Sequence, residues 1–335
     1  MRLRRVRPYG PGIERVRRGR GFGYRTTDGD RVDDPATLAR IEALVIPPAW
    51  REVWISDHPH GHIQAVGVDA AGRKQYLYHE QWRRERDEEK FDRVLELATH
   101  LPAARRRVRA DLAHDGLGKR RICAAAITLL DRGVFRVGGE EYAEENGSRG
   151  VATLLREQVR VSGDTLCLDF PAKGGIRRQA RVTDPALVTV VRALRRVRPE
   201  SGRLLVYRER DGLCDLTADD VNQRFKELTG CEGSVKDLRT WEATVLAAEC
   251  FAEREPAPES ERRRRAVIKE VMTEVAERLG NTPTVARDAY VDPRVVTAFT
   301  EGRTIAAALR RADRCRSAER RRDAVEKAVL RLLAG

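Results

Sequence analysis

The chain lacks any apolar run approaching the roughly 18 residues that a membrane span needs, and its arginine-rich N-terminus has no apolar segment behind it. Neither membrane insertion nor export is expected, and the location expected is the cytoplasm. Paired cysteines are missing too. Of the six cysteines the nearest two, Cys214 and Cys231, stand 17 residues apart, which excludes C-x-x-C zinc and redox spacings. They read as small buried hydrophobes in a reducing cytosol. The one dense histidine cluster, His58-Pro59-His60-Gly61-His62, has no cysteine or carboxylate at ligand spacing, so it reads as a polar turn rather than a zinc site. No phosphate-binding P-loop occurs, and Gly19, Gly21 and Gly23 lie in a basic segment without a strand before them. No metal or nucleotide cofactor is expected.

What is abundant is positive charge. Lys and Arg total 65 against 52 Asp and Glu, a net +13, while 41% of residues are hydrophobic. That balance excludes a disordered tail and favours a globular protein with a polyanionic partner. A length of 335 residues suggests two domains at about 100–200 residues each. Residues 1 to 20 hold eight arginines and one acid, Glu14, more than half of the net charge. With Pro8, Gly10, Pro11 and Gly12 precluding a helix, this segment is either an electrostatic arm or a solvated tail.

Asp34-Pro35 predicts the start of a short helix carrying Leu38, Ile41 and Leu44 and closed by Pro47-Pro48. Val53–Ile55, Ile63–Val68 and Lys74–Tyr78 read as strands. From Glu80 onward the pattern becomes amphipathic helices over 80–99, 102–113, 119–131, 185–196, 217–229, 236–253, 262–279 and 317–333. Residues 254–265 read as a solvated loop. One patch is different: Gln158–Val161, Thr165–Phe170 and Ile176–Val182 predict a three-stranded meander with Lys173 at the tip of its second hairpin. The fold class is therefore α+β, with a small β-rich domain over 1–85 and a larger, mainly α-helical domain over 86–335 that contains the meander.

Several weak signals occur in order. Arg136 follows an apolar helix in Val134-Phe135-Arg136-Val137-Gly138, and Lys173 stands at the hairpin tip. Arg239 lies in Lys236-Asp237-Leu238-Arg239-Thr240-Trp241, and Asn281 and Tyr290 flank a Pro-containing turn. Together with Gly10-Pro11-Gly12-Ile13, Ile46-Pro47-Pro48-Ala49-Trp50, Gly72-Arg73-Lys74-Gln75-Tyr76-Leu77-Tyr78-His79, Leu130-Asp131-Arg132-Gly133 and Leu279-Gly280-Asn281-Thr282-Pro283, these motifs resemble the small type IB DNA topoisomerases of the bacterial and poxvirus type. The resemblance runs over nearly the whole chain. It implies a two-domain clamp around duplex DNA, preferentially supercoiled, acting as a monomer. In that family Tyr290 would attack a phosphodiester and stay joined to the 3′ phosphate while the strand rotates and is resealed. Arg136, Lys173, Arg239 and Asn281 would serve the transition state, and Gln75, Tyr76, Tyr78 and Lys236 would contact DNA. Arg149 stands where the family often has an aromatic, and Asn281 where some members have histidine.

The residue types suit this chemistry. A tyrosine hydroxyl is only ~0.1% ionised at pH 7, a cost of roughly 4 kcal/mol that cationic neighbours reduce. Two guanidinium forks and an amide N–H can hold the added charge on the nonbridging oxygens. The 5′ alkoxide leaves poorly unless protonated, which a lysine can do. Because the phosphotyrosyl diester retains the bond energy, resealing needs no ATP. Two rivals remain. A tyrosine recombinase shares the nucleophile, but usually has histidine where Lys236 stands. A non-catalytic DNA-binding protein would explain the charge but leaves five site residues without use.

Overall fold

The computed structural model describes residues 2–19, 21–133, 138, 149–172, 177–254 and 256–335. It forms two compact units, Met1–Lys90 and Phe91–Gly335, the division falling inside a helix. The α+β class holds: the first unit is built on a sheet, and the second is mainly helical around a three-stranded meander.

The first unit contains a five-stranded antiparallel sheet of order β2-β1-β3-β4-β5, with β1 Ile13–Arg18, β2 Gly21–Thr26, β3 Arg51–Ile55, β4 Ile63–Val68 and β5 Lys74–Tyr78. Between β2 and β3, helix α1 (Pro35–Ala43) begins as predicted, the Asp34 carboxylate accepting the Thr37 N–H at 2.8 Å. Ile41 of α1 packs with Ile13, Val53, Ile55 and Ala65. Trp54, Ile63 and Val66 form a second cluster with Val6, the register shift between Ile63 and Ala65 separating Ile63 from the first cluster.

Strands β1 and β2 correct the reading of residues 1 to 20 as an arm or a tail. Arg15 donates to the carbonyls of Ile46, Pro47 and Trp50 at 3.3, 3.0 and 2.9 Å, and its guanidinium lies 4.2 Å from the Phe22 ring centroid. Arg4 pairs with Gly61. Arginine stems take half-buried strand positions here, so residues counted as charge are also packing.

Helix α2, within which the division falls, runs unbroken from Glu80 to Ala113 with Pro102 inside it, where two helices were expected. Proline removes one backbone hydrogen bond, but Val94, Leu97, Ala98, Leu101, Ala104, Val108 and Leu112 keep one buried face throughout, and that packing carries the helix across the break. Next come α3 (Lys119–Asp131), the meander β6 (Val159–Ser162), β7 (Thr165–Pro171) and β8 (Arg177–Thr183), and α4 (Pro185–Leu194). A hairpin that sequence periodicity did not signal follows, β9 (Val206–Glu209) with β10 (Gly212–Asp215). The remaining helices are α5 (Ala218–Thr229), α6 (Val235–Glu253), α7 (Glu261–Leu279), α8 (Pro283–Ala289), α9 (Pro293–Thr300), α10 (Ala306–Ala312) and α11 (Ala318–Leu333). The expected loop over 254–265 thus ends early, at the start of α7. The expected Pro-containing turn before Tyr290 is instead helix α8: Thr282 caps it and Pro283 takes the first position, where a missing N–H costs nothing.

Helices α3 and α6 lie deepest, burying Ile122, Leu129, Trp241 and Phe251. The thiols are all free, with Cys123 and Cys250 buried and Cys315 exposed, so the buried-hydrophobe reading fails for Cys315. A four-charge cluster ties α11 to the core. Arg105 bonds Asp131 at 3.0 Å and Glu326 at 2.6 Å, and Arg322 bonds the same two acids at 2.8 and 2.9 Å. Burial alone would raise the Asp131 pKa, but Arg322 and Arg105 hold it below the ordinary carboxylate range.

Candidate active site

Arg239 is on α6, one turn in from the helix start, and is buried at 7% exposure. Its guanidinium donates to the Leu279 carbonyl and lies 5.3 Å from the centre of the Tyr290 ring. Leu279 is the last residue of α7, and Gly280 ends that helix in the left-handed conformation at φ 64°. The Asn281 N–H then closes back on Ala276 O at 2.9 Å, which fixes where the chain leaves the helix. Tyr290 ends α8, its N–H on Ala286 O at 3.1 Å. The Thr244 hydroxyl of α6 has Thr240 O at 2.9 Å and Tyr290 O at 3.3 Å as acceptors and itself accepts the Asp292 N–H at 3.1 Å. One helix, α6, therefore both carries Arg239 and holds the peptide that follows Tyr290.

The structure thus brings Arg239 and Tyr290 together, and brings Asn281 to them through Leu279. Arg136 and Lys173 lie outside the described residues; the positions flanking them do not. Gly133, just past α3, has φ 68°, and a Cβ there would overlap the Glu242 carboxylate oxygens. Ala172 and Arg177 flank the Lys173 segment. Gly133, Ala172, Arg177, Leu279 and Gly280 line one cleft of about 720 Å³. Among the described residues it is lined by five arginines, Arg132, Arg177, Arg178, Arg181 and Arg278, against one acid, Glu277. Such a cleft suits a polyanion. Among the described residues no group of three or more His, Cys, Asp or Glu is placed to hold a metal ion.

Two groups tune this region. Asp169 accepts from Arg177 Nε and Nη2, each at 2.7 Å, and from Gln179 at 3.1 Å, which brings its pKa down to about 2. Burial pushes the Glu242 carboxyl up to about 7, opposed by Arg322, reinforced by Asp131, and opposed again by Arg278 and Arg239.

The other predicted contacts are divided. Lys236 is exposed on the first turn of α6. In the first unit Tyr76 and Tyr78 stand on one face of β5, 42% and 39% exposed, with rings 6.0 Å apart and 15° from parallel. Gln75 points to the opposite face, where its amide donates to Asp69 at 2.9 Å. Arg149 gives its N–H to Pro171 O at 2.8 Å, beside the hairpin.

Sequence comparison decides the family. Residues 79–311 match the family described as eukaryotic DNA topoisomerase I, catalytic core, and residues 21–69 match bacterial DNA topoisomerase IB, N-terminal domain. The chain belongs to the type IB DNA topoisomerase family. It is accordingly an isomerase. A relative, the DNA topoisomerase 1B of Acanthamoeba polyphaga mimivirus, is 28% identical over 287 residues, covering 84% of this chain and 85% of its own. Four residues of the site were missed in the sequence reading of single residues: Arg178, Glu242, Thr244 and, as a helix-ending glycine, Gly133. Only Gly133 carried a local signal, a glycine directly behind an apolar helix.

Proposed function

We propose that this topoisomerase relaxes DNA supercoils through a 3′-phosphotyrosyl intermediate on Tyr290, without ATP or a required metal. The observation that carries the reading is the buried Arg239 guanidinium, 5.3 Å from the Tyr290 ring and bonded to Leu279 on the wall of the arginine-lined cleft. The tyrosine oxygen attacks phosphorus as its proton departs, and the bond to the 5′ oxygen breaks. Arg136, Arg239 and the Asn281 amide hold the nonbridging oxygens, where charge develops. Lys173 supplies the proton that the leaving 5′ oxygen takes up. Strand rotation relaxes the duplex, and attack by the 5′ hydroxyl reverses each step. Duplex DNA, preferentially supercoiled, is the partner of a monomer acting in the cytoplasm at the nucleoid, with Tyr76, Tyr78 and Lys236 as further contacts and Gln75, on the opposite face of β5, supporting that strand through Asp69.

Plasmid relaxation in EDTA without ATP tests the reading. Both negatively and positively supercoiled plasmid are expected to relax, and relaxation that occurs only with Mg²⁺ overturns it.

A further inference from the structure

Arg178 is on β8, five residues beyond Lys173, opposite Phe170 of β7. Its guanidinium reaches three backbone carbonyls: Arg278 O at 2.9 Å, Leu279 O at 3.3 Å and Gly133 O at 3.4 Å. Arg278 and Leu279 are the last residues of α7, and Gly133 lies two residues past the end of α3. Carbonyls at helix ends lack intrahelical partners and carry the negative end of the helix dipole, so they favour a cation. A planar guanidinium can serve three of them at once, and a lysine ammonium on a single flexible stem matches that geometry poorly.

The carbonyls matter because of where their chains lead. Gly133 precedes the segment of Arg136. Leu279 precedes Asn281 and also accepts from Arg239. Arg178 itself lies on β8, which begins four residues after Lys173. One side chain therefore links all four segments that bear the groups proposed to serve the transition state.

We infer that Arg178 is a positioning residue that holds the Lys173 hairpin in register with Arg239 and Asn281 for cleavage. This rests on the function proposed above. Arg178 also acts in a way distinct from a generic fold clamp. Arg156 supplies the comparison, since it too donates to helix-end carbonyls, Leu194 O and Arg195 O, both at 2.8 Å, but joins no segment of the site.

The test is single-turnover cleavage by the full-length protein of a duplex carrying the ordinary 5′ bridging oxygen, and of one with sulfur there, whose thiolate leaves without a proton. Arg178→Ala is expected to slow cleavage of the oxygen substrate by ~100-fold, the scale of a small misplacement of a reacting group. Because Arg178 also lines the arginine-rich cleft, cleavage is read at saturating protein, where a loss of DNA affinity does not enter the rate, and any such loss should be the same for both substrates. Sulfur should restore most of the rate, because the hairpin's proton is no longer needed. Arg178→Lys, which keeps the charge, should show the same pattern and serves alone if the alanine variant does not fold. Arg156→Ala should cleave both substrates at the wild-type rate. Wild-type rates in Arg178→Lys on the oxygen substrate, or equal slowing on both substrates, overturn the inference. A wild-type protein that forms no adduct with either substrate refutes the proposed function instead.

Discussion

In the first unit the candidate DNA-facing side chains stand on one regular strand; in the second the candidate catalytic side chains stand where elements end. Tyr76 and Tyr78 owe their common face to the two-residue period of β5, which also turns Gln75 away toward Asp69. Arg239, Asn281 and Tyr290 owe theirs to a helix start, a helix end and a short capped helix that converge from 239 to 290. A strand presents side chains whose grouping is set locally. A site made of element ends exists only when the core has packed. The first arrangement suits a surface laid along a partner, and the second suits fixed charges around one reacting atom.

The sharpest way to separate the two regions is to delete one oxygen from the second. Tyr290→Phe should abolish the SDS-stable covalent adduct and all plasmid relaxation while leaving DNA affinity unchanged. An adduct that survives, or one joined to a 5′ phosphate, would move the nucleophile elsewhere.

A smaller effect tests whether the second unit holds its charges under strain. The Glu242 carboxyl is raised to about 7 from an ordinary 4.5, so the folded state binds its proton more tightly than the unfolded chain does. The resulting stability is complete below pH 4.5 and is lost as pH rises through 7, by roughly 3 kcal/mol. The groups facing it are Arg322 from α11, Asp131 from α3, Arg278 from α7 and Arg239 from its own helix. Glu242→Gln should remove this pH dependence from urea unfolding measured between about pH 5 and 8, and unchanged curves would contradict it. Gly133→Ala, which forces a Cβ onto that carboxylate in a left-handed conformation, should destabilise by about 1–3 kcal/mol. An unchanged urea midpoint in this variant would mean that Gly133 is not held where the structure has it.

The smallest effects fall on the first unit. Replacing Tyr76 and Tyr78 together by alanine should weaken DNA binding several-fold, about 1 kcal/mol, without altering the single-turnover cleavage rate at saturating protein. Gln75→Ala should change affinity less, because its amide is already bonded to Asp69; a larger effect for Gln75 would mean that the strand turns over on DNA. Lys236→Ala should lower the slope of log affinity against log salt by about 1 if it neutralises one phosphate, which a salt titration reads directly.

Reading residues alone found the strands Ile63–Val68 and Lys74–Tyr78 and the helices around 119–131 and 236–253, because each repeats its apolar period over several turns or pairs. It missed β1, whose alternation passes through Arg15 and Arg17, and β2, where Phe22 and Tyr24 alternate with glycines. It also broke α2 at Pro102, where packing on Leu101 and Ala104 outweighs the local rule.

By itself the sequence determined the division into a β-rich and a helical part, the positive field and the family, because these depend on composition, periodicity and short motifs. Only the tertiary structure decided that Arg239 bears on Tyr290, that Gln75 turns from the tyrosines beside it, and that Glu242 lies against Gly133. It alone showed Arg178 joined to carbonyls 45 and 100 residues away. A backbone carbonyl is the same group at every position, so nothing in the order of side chains says which one a guanidinium will find. That is settled when helix ends, with their unpaired carbonyls, are packed side by side.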